Sequence, residues 1–91
     1  MDVKEARQKL THLLKNHAED VLFTEHALER MLQRGITKQD VLVTLKNRTI
    51  VPPPQSYQRS LRFKVQDLEL IVIFAFDGPF EAAVITVWRE Q

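Results

Sequence analysis

Ninety-one residues with 44% hydrophobic side chains supply one small core, so the chain reads as a single domain over residues 1–91. Thirteen basic against twelve acidic residues leave a net charge of +1, which argues against a dedicated, strongly basic nucleic-acid binder. The absence of cysteine excludes disulfides, thiolate metal sites and a cysteine nucleophile, and fits a cytoplasmic protein.

The opening Met1-Asp2-Val3-Lys4-Glu5 is charged and amphipathic, unlike a signal peptide. Val3, Ala6, Leu10, Leu13, Leu14 and His17 then recur at three- and four-residue steps, which predicts an amphipathic helix over residues 2–17. Thr24 is a good N-cap for a second helix, with Phe23 and Leu28 as a hydrophobic staple and Gly35 as a left-handed C-cap. On this helix His26, Arg30 and Arg34 fall four residues apart on one stripe. An imidazole in line with two permanent cations suits a phosphate or another anion. Ala27, Leu28, Met31 and Leu32 form the neighbouring stripe, which is expected to face a core. Thr37 caps a third helix, with Ile36 and Val41 as a second staple and Asp40 in its first turn. Val41, Leu42 and Leu45 form its buried face, and Asn47 ends it.

From here the hydrophobic period changes to two. Thr49-Ile50-Val51 reads as a short strand stopped by Pro52, Pro53 and Pro54, which cannot donate to a ladder. Arg59 to Gln66 alternates, with Leu61, Phe63 and Val65 on one face and Ser60, Arg62 and Lys64 on the other. Leu68 to Phe76 is nearly continuous apolar, as in a central strand; it is too short to span a bilayer, and no membrane partner is expected. After an Asp77-Gly78 turn, Ala82 to Arg89 is the last strand. Strict alternation puts Val84, Thr86 and Trp88 on one face and Ile85 and Val87 on the other. Helices followed by strands predict an α+β domain, with amino-terminal helices on one face of a three- to four-stranded, mainly antiparallel sheet.

The run T-E-H-A-L-E-R-M-L-Q-R-G-I-T-K-Q-D-V, residues 24–41, resembles the opening motif of domain-of-unknown-function family 4258. The strand at Arg62-Phe63-Lys64-Val65 and the closing Val84-Ile85-Thr86-Val87-Trp88 also fit that family. The resemblance covers residues 22–89 and leaves the first helix, residues 1–18, outside. It implies a fold similar to the RelE and ParE toxins: helices, then a four-stranded antiparallel sheet whose active face lies beside the helical motif. It further implies a bacterial, metal-independent endoribonuclease toxin, with RNA as substrate, an antitoxin or another protein as partner, and no cofactor. That fold group also contains gyrase poisons and inactive domains, so a non-catalytic protein-binding module is the alternative.

Position by position, the resemblance points to His26, Arg30 and Arg34 on the helix, Arg62 and Lys64 on the basic strand, and Thr86 on the last strand. His26 would move a proton, since its unperturbed pKa lies near neutrality. Arg30, Arg34, Arg62 and Lys64 would hold phosphate charge; neither helical arginine has an acid three or four residues away to pair with. Thr86 would hydrogen-bond the scissile phosphate, and Tyr57, in the loop before the basic strand, would stack on a base. Each has an ordinary alternative: a solvated helix face for the cations, packing for Thr86 and Tyr57. Trp88 reads as core or a partner contact. His12 and His17 are five residues apart and do not read as a metal site, and no glycine-rich phosphate loop or nucleophile elbow occurs.

Overall fold

The computed structural model of the chain describes residues 1–90. Its elements run α1 (Val3–Asn16), a short 3₁₀ turn (Ala18–Asp20), β1 (Val21–Phe23), α2 (Glu25–Arg34), α3 (Lys38–Asn47), β2 (Ile50–Tyr57), β3 (Ser60–Asp67), β4 (Leu70–Phe76) and β5 (Ala82–Arg89). The five strands form one mixed sheet in the order β1-β5-β4-β3-β2. β2 to β5 make an antiparallel meander, and β1 pairs with β5 in parallel.

The helix ends follow from local chemistry. The Asp2 carboxylate accepts from the Glu5 N–H at 2.8 Å and starts α1. Thr37 and Asp40 form a reciprocal capping box at the start of α3 (3.0 and 2.9 Å). The Thr37 backbone N–H, and secondarily its hydroxyl, hold the Asp40 carboxyl below the usual carboxylate range. A carboxyl depressed in the folded state stabilises above its unfolded value of 3.8, and that contribution is lost as pH falls through the folded value. Asp40→Asn should therefore melt lower than the native chain near neutrality, with the gap closing in acid titrations below about pH 4.

Between α2 and α3 the chain reverses at Gly35, whose φ of +66° is left-handed. On α1, Ala6, Leu10 and Leu13 are fully buried. They meet Val41 and Leu45 of α3 and the inner sheet face of Phe63, Val65, Val72, Phe74, Val84 and Val87 in one hydrophobic cluster. Arg7 extends from α1 to donate to the Leu45 carbonyl at 2.8 Å and to the Arg48 carbonyl, closing the carboxy-terminal end of α3. Burial lowers the pKa of this guanidinium from its ordinary value. α1 is thus an integral layer of the domain.

Five expectations are corrected. The sheet has five strands, because Val21–Phe23 joins it alongside β5. The prolines do not end β2: they occupy a register shift between Val51 and Gln55, after which pairing resumes through Tyr57. β2 is a sheet edge, where a missing N–H donor is tolerated. Tyr57 is accordingly the last residue of a strand, and Gln58 and Arg59, both with positive φ, make the two-residue turn into β3.

On α2, Ala27 and Met31 are buried as expected, but Leu28 and Leu32 are not, with Leu32 85% exposed. The core covers one side of α2 only, and residues one position on are rotated by about 100° away from it. In β5, strict alternation fails. Ile73 and Phe74 are adjacent on β4 but face Thr86 and Val84, so Ile85 is an extra, bulged residue. Val84 and Val87 both enter the core, while Thr86 and Trp88 stay on the opposite face.

Candidate functional site

The face of the sheet turned away from the core carries a row set by register. Val51 lies across from Lys64, Lys64 from Ile73, and Ile73 from Thr86. Directly opposed residues share a face, as do residues two apart along a strand. Arg62 therefore joins Lys64 on this face, and Trp88 joins Thr86.

α2 flanks this face at β5. Its first turn is fixed by Thr24, whose hydroxyl accepts from the Ala27 N–H at 3.1 Å and donates to the carbonyl of the bulged Ile85 at 2.9 Å. The Thr24 N–H also donates to the Val84 carbonyl at 3.1 Å. One side chain thus starts the helix and ties it to the strand beside Thr86. The bulge that turns Thr86 outward is the same place that receives α2. Thr24→Val should cost about 1–2 kcal/mol of stability by removing both bonds, with Thr24→Ser restoring most of it in thermal or denaturant melts.

With α2 anchored there, the core stripe of Ala27 and Met31 is flanked by His26, Arg30 and Arg34 on the side facing the sheet. These three line a depression of about 450 Å³ together with Thr86, Val87, Trp88 and Arg89. Across Thr86 and Trp88 the surface continues into a second depression of about 380 Å³. Its lining includes Arg62, Lys64, Tyr57, Ile73, Gln55 and the Pro52-Pro53 edge. Thr86 and Trp88 belong to both, so the two hollows form one groove running from α2 to the β2–β3 hairpin.

All seven residues singled out from the sequence lie along this groove: His26, Arg30 and Arg34 at one end, Arg62, Lys64 and Tyr57 at the other, Thr86 between. Among the described residues, no carboxylate lies within 4.0 Å of Arg30, Arg34, Arg62 or Lys64; the two ion pairs present, His17–Asp20 and Arg48–Asp67, lie elsewhere. Arg34 also borders a neighbouring hollow with Glu69, Arg89 and Glu90. Arg62 is held by an aromatic ring, its guanidinium carbon 4.3 Å from the Tyr57 centroid. Its Nε is buried without an acceptor. Among the described residues, no three His, Cys, Asp or Glu side chains are grouped so as to hold a metal ion. No helix among them is long and apolar enough to cross a membrane.

Trp88 and Arg89 also line the groove, although the sequence pattern marks neither as a site residue. For Trp88 the only signal is its place two residues beyond Thr86. Arg89 had no such signal, because its place depends on how the end of β5 meets the last turn of α2.

The groove and its fold describe a small α+β domain with an anion-suited face between a helix and an open sheet surface. The chain belongs to the family described as a domain of unknown function, number 4258, which it matches over residues 23–89. The match begins at the last residue of β1, so α1 lies wholly before it. No curated protein and no solved structure matches the chain.

Proposed function

We propose that the protein is a RelE-like, metal-independent endoribonuclease, of the kind that serves as a toxin in bacterial toxin–antitoxin pairs. The observation that carries this reading is the composition of the groove: one imidazole, His26, and five cations, Arg30, Arg34, Arg62, Lys64 and Arg89, with Thr86 between its two ends and, among the described residues, no carboxylate paired with any of them. In the proposed reaction the 2′-hydroxyl of a ribose attacks the adjacent phosphorus. The P–O bond to the 5′ oxygen of the next nucleotide breaks. The products are a 2′,3′-cyclic phosphate and a free 5′-hydroxyl. His26 moves one proton, either from the attacking hydroxyl or to the leaving oxygen, and solvent water carries the other. Arg30 and Arg34, with Arg62 and Lys64 across the groove, stabilise the charge that builds on the phosphoryl oxygens. Thr86 donates its hydroxyl to one of those oxygens.

The test is incubation of the purified chain with single-stranded RNA in EDTA. The expected products carry cyclic phosphate ends. RNA that stays intact on long incubation rejects the ribonuclease reading.

One feature favours the alternative, a non-catalytic protein-binding module. Leu28 and Leu32 form an exposed apolar stripe on the side of α2 away from the groove, with Leu28 40% and Leu32 85% exposed. In a toxin the same stripe would be available to an antitoxin, so the two readings share this surface and differ in the groove.

A further inference from the structure

The groove has two unlike ends. At α2 it is polar and cationic, with His26, Arg30 and Arg34 along one side. At the β2–β3 hairpin its lining adds the apolar and aromatic side chains of Tyr57, Trp88, Pro52, Pro53 and Ile73 to Arg62 and Lys64. A backbone phosphate is met by the first end together with Arg62 and Lys64. It has no use for the apolar side chains of the second.

We infer that the hairpin end is a nucleobase subsite, which makes the substrate a single strand of RNA with a base turned out into the hollow. The identification of the nucleic acid as RNA rests on the ribonuclease reading; the base subsite rests on the hairpin end alone. Three observations carry it. The Arg62 guanidinium carbon lies over the Tyr57 ring, 4.3 Å from its centroid, and no described carboxylate lies within 4.0 Å to neutralise it. Stacked guanidinium and aromatic planes are surfaces on which unpaired bases stack. Tyr57 is 52% exposed although nothing in the core needs it, so the platform faces the groove open to a ligand. Gln55, directly across from Arg62, lines the same hollow, where its amide can pair with a base edge. A base inside a duplex has both faces covered and cannot use this platform.

Trp88 is the only tryptophan of the chain and forms part of the wall, so its fluorescence reports on occupancy. The experiment uses the full chain carrying His26→Ala, so that the RNA survives. It is titrated with a short single-stranded RNA, with the same sequence as a duplex, and with an abasic strand of equal length. The single strand should quench Trp88 and bind more tightly than either control. Tyr57→Ala, at an exposed position, should weaken its binding roughly 5- to 150-fold, the effect of losing one base stack, and Tyr57→Phe should bind as the parent does. Equal affinity for the abasic strand without quenching overturns the subsite, as does the absence of any binding. Cleavage by the native chain separates the two proposals. Quenching without cleavage keeps the subsite and rejects the ribonuclease; cleavage unaffected by Tyr57→Ala does the reverse.

Discussion

His26→Ala should lower RNA cleavage by about 10²- to 10⁴-fold, the range for a positioned acid or base, with the melting temperature unchanged. The side chain is exposed on the first turn of α2, so removing it leaves no cavity. The core contacts of that helix come instead from Ala27 and Met31. Loss of activity with an unaltered fold is what distinguishes a reacting group from a packing residue. Rates measured under single-turnover conditions, with circular dichroism on the same samples, check both halves. An unchanged rate would remove His26 from the mechanism and leave the cations as a binding surface only.

Deleting residues 1–18 should abolish folding. The deletion removes Ala6, Leu10 and Leu13, each no more than 1% exposed, and uncovers the core at α3 and β2 that α1 packs on. Truncating a single buried leucine to alanine costs about 2–5 kcal/mol. Two such leucines lost together, along with the Arg7 bonds to the end of α3, reach the ~5–15 kcal/mol that separates most folded domains from unfolded chains. The segment that matches the family, residues 23–89, is therefore expected not to fold alone. Near-absent secondary structure in the truncated protein is the expected result. A truncated chain that keeps its melting temperature would make α1 an appended interaction element.

Features set by neighbouring residues could be read without the structure. The caps at Thr24, Gly35 and Thr37 each act within a few residues, and all three stand where the spacing predicts. The His26-Arg30-Arg34 stripe was legible for the same reason, since helical periodicity alone places it. Arg62 and Lys64 on one face follow from the period of a strand.

What could not be read depends on distant partners. Val21–Phe23 is a strand only because β5, about sixty residues further on, pairs with it in parallel. Local composition holds no trace of that pairing. The prolines of β2 are compatible with a strand only at a sheet edge with a register shift, and edge position is a property of the whole sheet. The bulge at Ile85 had the largest consequence. It reverses the expected company of Val84, sends Thr86 and Trp88 away from the core, and so decides that the sheet residues and the α2 stripe share a groove. A bulge has no fixed residue signature, and this one contains an ordinary apolar side chain. Leu28 and Leu32 are apolar and fit a core stripe, but periodicity does not say how wide a face the neighbouring sheet will cover.

The central claim is that the α2 stripe and the outward sheet row act as one site. Backbone amide and side-chain NMR shifts of the ¹⁵N-labelled chain, followed during titration with a short RNA blocked by a 2′-deoxy substitution at each position where cleavage occurs, test it directly. Coincident, saturating shifts at His26, Arg30 and Thr86 and at Arg62 and Tyr57, with a single dissociation constant, are the predicted result. Shifts confined to one end of the groove, or to the Leu28–Leu32 side of α2, would contradict it.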